Sequence, residues 1–380
     1  MKLTQLLLTL SALQVTSIAL AVENDSNKNI TAPNIVFILS DDMGRQDLSL
    51  YGSQLHETPN IDGLARDGIR FDNAYSAHPR CVPSRIAMLS GQDSARNGNP
   101  ITKRKHKLLP SNVTFAEHLQ KSGYKTGYIG KWHLGKKDGG WPEHQGFDEN
   151  MLAGSAGLPD NYFYPWGGKS KNGKETFDHI KGEKGEFITE RLATEAEGFI
   201  ERHQDEPFLL VLSHYSVHTP IQARKQDADY YRNKLNEMGI EPSTAKYMPD
   251  LLKGKNGISE YKSQQNNPRY AAMVGSVDKS VGRVIQKLKA LNLEKNTVVI
   301  FTSDHGGLSS RGPNQRELGT SNLPFRQGKG WLYDGGIRVP LIVKWPTKIA
   351  GNSISTTQVT GTDHYPTILQ LADLPQSPKD

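Results

Sequence analysis

An α/β fold, with a mixed, mainly parallel central sheet sandwiched by helices, is the class this sequence predicts. Two observations carry it. After residue 33, short β-branched runs alternate with amphipathic stretches at helical spacing, the pattern of a sheet covered by helices. Asn34–Ser40 (NIVFILS) and Thr297–Thr302 (TVVIFT) are also almost wholly apolar at strand length, as strands buried on both faces are.

In chain order, Asn34–Ser40 is the first strand. Pro59–Arg66 reads as a helix, with Pro in its first position and Gly68 closing it. Val82–Leu89 is a short helix, and Asn112–Ser122 another, with Asn112 as N-cap and Gly123 as stop. Lys125–Ile129 is a strand, Phe187–His203 a long amphipathic helix, and FLLVLS within Pro207–His214 a further strand. Arg269–Leu291 is the strongest helix: Tyr270, Met273, Val274, Val277, Val281, Val284, Ile285 and Leu288 recur on one face. Thr297–Thr302 and Pro340–Lys344 complete the strands, and Asp363–Ala372 is a final helix. Gly135–Gly185 and Ile221–Asn267 lack clear periodicity and read as long insertions over one end of the sheet, where ligand-facing loops sit.

The chain has 380 residues, 46 Lys plus Arg against 40 Asp plus Glu, and one Cys. That cysteine count excludes a disulfide framework and any zinc site of several thiolates. The net charge of +6 permits an anionic partner, but no basic-aromatic stripe points to nucleic acid. Residues 1–21 read as an export signal: Lys2, an apolar stretch from Leu6 to Leu20, and the small-residue site Ala19-Leu20-Ala21. The stretch is too short and too interrupted for stable membrane insertion. Residues 22–32 form a polar leader, and the expected location is periplasmic or secreted.

Polar groups follow four of the strands. Asp41-Asp42 follow the first, Lys131-Trp132-His133 the run KTGYI, His214 and His218 the run FLLVLS, and Asp304-His305 the run TVVIFTS. In open α/β sheets, ligands bind at the carboxyl ends of strands, so these groups are placed to converge. Asp41, Asp42 and Asp304 offer the oxygen ligands that Ca²⁺ and Mg²⁺ take. Cys81 lies at or just before a helix start, with Pro83 in the first turn and Arg85 one turn on. Free N–H groups there favour an anion. An inert buried thiol and a low-pKa nucleophile both fit that position.

The run Cys81-Val82-Pro83-Ser84-Arg85 resembles the motif of the formylglycine-dependent (type I) sulfatases, a branch of the alkaline phosphatase superfamily. NIVFILSDDMG, TPNIDGLARDGIRFDNAYSAHPRCVPSRIAMLSGQ, GYKTGYIGKWHLG, HTP, SDHGG and GKGWLYDGGIRVPLIVKWP are similar to that family in its order, from about Pro33 to the C-terminus. The resemblance implies an alkaline phosphatase-like sulfatase fold over residues 33–380. It also implies conversion of Cys81 to Cα-formylglycine by a formylglycine-generating or anaerobic sulfatase-maturating enzyme. The hydrated aldehyde would attack sulfur, release the alcohol and then shed sulfate by elimination. By motif, Asp41, Asp42, Cys81, Asp304 and His305 would bind one Ca²⁺. Arg85 and Lys131 would orient the formylglycine, His133 would act as base, and His218 and Lys329 would contact the sulfate and protonate the leaving oxygen.

Two departures stand out. Many family members carry Asn where this chain has His305, and imidazole suits Ca²⁺ poorly. Such sulfatases also usually continue into a smaller antiparallel C-terminal subdomain, so a chain stopping at Asp380 is expected to be truncated or unusually short. The implied activity is hydrolysis of a sulfated carbohydrate or aryl sulfate. A formylglycine-dependent phosphonate or phosphate ester hydrolase and a non-catalytic binder of anionic glycans are the alternatives.

Overall fold

The computed structural model describes residues 32–96, 107–135, 140–154, 157–167, 180–242, 247–254, 257–310 and 317–375. The expected export signal, and the leader apart from Ala32, lie outside the described residues. The strands are β1 (Asn34–Ser40), β2 (Ile69–Tyr75), β3 (Lys125–Gly130), β4 (Glu149–Met151), β5 (Phe208–Ser213), β6 (Tyr247–Gly254), β7 (Gly257–Lys262), β8 (Thr297–Ser303), β9 (Leu341–Lys344) and β10 (Ser353–Thr360). The helices are α1 (Pro59–Arg66), α2 (Cys81–Ser90), α3 (Phe115–Lys121), α4 (Ile188–Arg202), α5 (Lys225–Glu237), α6 (Pro268–Ala290), α7 (Asp334–Ile337) and α8 (His364–Leu371).

Eight strands form one sheet in the order β10-β2-β9-β8-β1-β5-β3-β4, and β6 and β7 pair separately. The sheet is parallel except at β9, which runs antiparallel to both β2 and β8. Alternation along the central strands sorts the core into two layers. Val36 and Ile38 face α1, α4 and α6, whereas Ile35, Phe37 and Leu39 face α2, α3 and α8. In α6, Val277, Val281, Val284 and Leu288 are fully buried, each worth about 1.5–3 kcal/mol over exposure. Asn267 caps this helix, accepting from the N–H groups of Arg269 and Tyr270 at 3.1 and 3.2 Å. A charge at Val277 would break the layer.

Register positions the site. Ser40 pairs with Ser303, Leu39 with Ser213, and Ser213 with Gly130. The residues just past these ends, Asp41, Asp304, His214 and Lys131, therefore emerge within one level of one another. Gly130 has φ +99°, and a Cβ there would meet the Ser213 carbonyl oxygen at 2.0 Å. Only glycine lets β3 lie so close as it delivers Lys131.

Three expectations are corrected. Thr114, not Asn112, caps α3: its side chain accepts from Glu117 N–H while Glu117 accepts from Thr114 N–H. Asn112 instead accepts from Leu109 N–H in the preceding turn, at 3.0 Å. Strands β2, β4 and β10 were not expected, because their polar sequences bury little. The insertion Ile221–Asn267 is not wholly a ligand-facing loop. Its helix α5 buries Tyr231 and Leu235 against Leu55, Ala271 and Ala272.

Candidate active site

Cys81 is the first residue of α2, after the extended N-cap Arg80. The Asp41-Asp42 turn is held by Asp41 N–H on the Ser216 carbonyl at 3.1 Å and by Met43 N–H on Ser303 Oγ at 3.2 Å. Asp42 and His133 both sit in the left-handed region, at φ 62° and 61°, strain of the kind that functional sites retain. His218 is fixed from behind by Tyr162, whose hydroxyl donates to the carbonyls of Tyr215 and His218 at 2.8 Å each. Lys329 reaches in from the segment before α7, its N–H bonded to the Gly307 carbonyl at 3.0 Å.

Asp41, Asp42, Cys81, Arg85, Lys131, His133, His218, Asp304, His305 and Lys329 join one cluster, whereas His214 is buried with neither ring nitrogen hydrogen-bonded. Lys131 Nζ donates to Asp41 Oδ2. Lys329 Nζ donates to both carboxylate oxygens of Asp42, at 2.6 and 2.9 Å. Arg85 Nε donates to Asp304 Oδ2 at 2.9 Å, and its Nη1 to the Lys131 carbonyl and Ser213 Oγ at 3.0 and 2.7 Å. Arg85 thus locks Asp304 to the end of β3, while its Nη2 is buried without a hydrogen-bond partner, 3.8 Å from Asp41 Oδ1. Cys81 Sγ lies 3.2 Å from His305 Nε2 and is hydrogen-bonded to His133. His305 Nε2 is also 3.3 Å from Asp42 Oδ1, and His218 Nε2 is 3.7 Å from Asp42 Oδ2.

The charges work against burial. Burial raises the Cys81 thiol, but Lys131, Lys329, His305 and the His133 hydrogen bond together hold it well below its usual range. Burial likewise opposes ionisation of Asp304, yet His305 and Arg85 bring it down to about 2. Asp41 is held above the carboxylate range by burial, which Lys131 offsets in part. Burial lowers His218 to about 4 despite Asp42. Burial lowers Lys329, but Asp42, Cys81 and Asp41 together raise it above its usual range.

Three acids thus meet three cations, so like-charge repulsion does not by itself demand a metal. The donor set does fit one. Atoms of Asp41, Asp42, Cys81 and His305 lie within 4.8 Å of one another, and Asp41 Oδ1 is buried without a hydrogen-bond partner. Asp304 stands at the edge of this group, its Oδ1 accepting from Asp42 N–H at 3.3 Å and lying 3.6 Å from His305 Nε2.

Sequence reasoning missed the supports. Tyr270, read only as core, donates to the Asp42 carbonyl at 3.3 Å and to Asp47 Oδ2 at 2.7 Å. Asp47 is fully buried and also accepts from Gly44 N–H and Thr320 Oγ1. A third acid in the run DDMGRQD was the available signal.

The Sulfatase family model matches residues 33–374. The chain belongs to the sulfatase family. It is 32% identical over 368 residues to N-acetylgalactosamine-6-sulfatase of Mus musculus, covering 90% of this chain and 63% of that protein. Over 419 residues it is 29% identical to steryl-sulfatase of Rattus norvegicus, covering 90% of this chain and 67% of the relative. The chain therefore spans about 63% of the length of the first of these curated relatives. The structure of Ps i-CgsB in complex with k-i-k-neocarrahexaose matches with a TM-score of 0.72 at 30% identity, over 92% of this chain and 74% of that one. A phosphonate monoester hydrolase of Agrobacterium radiobacter, at 19% identity and a TM-score of 0.57, covers 90% of this chain and 74% of its own and shares the fold alone. No helix among the described residues is long and apolar enough to cross a membrane.

Proposed function

We propose that this sulfatase-family chain hydrolyses sulfate monoesters of carbohydrates, with aryl sulfates as surrogate substrates, after Cys81 has become Cα-formylglycine. The observation that carries it is Cys81 itself. It is the only cysteine, it opens α2, and it faces two lysines and two histidines at the ends of the parallel strands. The relatives named N-acetylgalactosamine-6-sulfatase and steryl-sulfatase, and the structure in complex with k-i-k-neocarrahexaose, support a sulfate ester as substrate.

Formylglycine, as its hydrate, supplies an oxygen nucleophile whose second hydroxyl lets sulfate leave by elimination. Ca²⁺ held by Asp41, Asp42, residue 81 and Asp304 would add Lewis-acid polarisation, with His305 the poorest match among the donors. The chain's own residues do the rest. His133, kept neutral by burial and bonded to residue 81, is placed to take its proton. Lys131 and Lys329 bring cationic side chains to where charge builds on sulfate, aided by the N-terminus of α2. His218 Nδ1 lies 2.7 Å from the Thr219 carbonyl, so its neutral ring donates there and leaves Nε2 an acceptor. We therefore assign the leaving-oxygen proton to Lys329. Arg85 holds Asp304 and the β3 end in register, a positioning role.

Residues 1–21 are proposed as a cleaved export signal, 22–32 as a leader, and 33–380 as the catalytic domain of a periplasmic or secreted enzyme. Cys81 is only 6% exposed, so the maturating enzyme must act before the chain closes. Matured protein should release sulfate from 4-nitrophenyl sulfate far faster than phosphate or phosphonate from the matching esters. The reverse preference would mean a phosphonate or phosphate hydrolase. No turnover of any ester, with retention on a sulfated resin, would mean a glycan binder.

A further inference from the structure

Two exposed arginines beside this site have no acidic partner among the described residues, unlike the guanidinium of Arg85. Arg80 is the N-cap of α2, one residue before Cys81, and its side chain caps nothing. A Cβ added to Gly330 would lie 3.9 Å from Arg80 Nη2, so the guanidinium rests over the residue that follows Lys329. Gly330 N–H donates to the Pro79 carbonyl at 2.8 Å, which ties the two segments together. The guanidinium is therefore one residue from the nucleophile along one strand of chain and one residue from Lys329 along the other. On the Lys329 segment, Arg326 lies over the Tyr333 ring at 4.2 Å, and Leu332 is 76% exposed.

An exposed arginine held against backbone, with its fork free, is suited to a planar or tetrahedral oxyanion. Lys131, Lys329 and Arg85 are ion-paired to Asp41, Asp42 and Asp304 in the buried cluster, so it does not present bare carboxylates to a second anion. Exposed Leu332, beside the Tyr333 ring that Arg326 overlies, offers apolar surface that the face of a pyranose ring can cover.

We propose that Arg80, with Arg326 further out, forms a second anion subsite that selects esters whose alcohol carries another sulfate or a carboxylate. The proposal rests on the sulfate-ester reading above and names the substrate class within it: polyanionic glycans.

The test uses the matured full chain and matched hexose or hexosamine sulfates, with and without a second sulfate, and with a neighbouring uronate. Wild type should favour the doubly charged member of a pair. Arg80→Gln should cut that preference about tenfold, the scale of one charge-assisted contact. Arg80→Lys should restore part of it, Arg326→Gln should reduce it less, and Arg80→Gln should flatten the salt dependence of kcat/KM. The sulfate arm and the uronate arm show which anion the subsite takes. An unchanged preference ratio in Arg80→Gln overturns the subsite, whether both rates fall together or neither does. Sulfate release from none of the sugars and from no aryl sulfate, by wild type, overturns the hydrolase reading and this proposal with it.

Discussion

Arg85 and Arg80 flank the start of the same helix, yet their surroundings have little in common. Arg85 is 2% exposed and gives its donors to Asp304, Ser213 and the Lys131 carbonyl. Arg80 is exposed and gives its donors to nothing described. The contrast extends to their regions. The floor, built on the ends of β1, β3, β5 and β8, pairs each acid with a base away from water, where removing one partner strands the other. The mouth, built from the α2 N-cap and the 323–333 segment, leaves charge and apolar surface in solvent. Under the proposed function, the difference would be a division of labour, with the floor carrying the reaction and the mouth selecting among alcohols.

Substitutions should separate the two regions. The largest effect belongs to Lys131→Met, which leaves Asp41 buried and unpaired. Sulfate release should fall by about 10²–10³-fold, and denaturant melts should show a loss of about 3–5 kcal/mol. A mild effect on both would mean that the floor is not the paired unit described. Chelation should come next. Treatment with EDTA should lower both Tm and turnover, and Ca²⁺ should restore both; restoration by Zn²⁺ but not Ca²⁺ would say that His305 governs the choice of ion.

A smaller effect is expected from Tyr270→Phe, which removes only the hydroxyl under Asp42. It should cost about 1–3 kcal/mol through the orphaned acceptors and lower kcat more than it raises KM. Equal loss in both would make Tyr270 a fold support alone. The least effect on activity belongs to His364→Phe. Burial lowers this histidine to about 4, against about 6.5 in an unfolded chain. Between those values the unfolded state binds more protons, so stability falls as pH drops from 6.5 to 4, by about 3 kcal/mol. His364→Phe should flatten that acid limb in pH-dependent melts and leave neutral-pH turnover unchanged.

The central strands were legible because burial on both faces writes itself as unbroken apolar runs, as in β1 and β8. Helix α6 was legible because one face packs along its whole length. Strand β10 was not: SISTTQVT sits at the sheet edge with Ile354 55% exposed, and hydrogen bonding to β2 alone leaves no hydrophobic pattern. Helix α5 had a signal, Ala228, Tyr231 and Leu235 at helical spacing, diluted by charged neighbours. At the site, residue identities were legible and their pairings were not. Nothing local says that Lys131 meets Asp41 while Lys329 meets Asp42; register and loop closure decide that. The Thr114 cap shows the same limit at close range, since Asn112 is the better cap by type but is engaged one turn earlier.

The account turns on residue 81. Peptide mass analysis across Cys81, on protein made with a maturating enzyme and paired with sulfate-release assays of the same preparation, tests it most directly. The account predicts the mass of the aldehyde at that position, with turnover rising in proportion to the converted fraction and absent in Cys81→Ala. Turnover by protein whose residue 81 is wholly thiol, or full conversion with no ester cleaved, would contradict it.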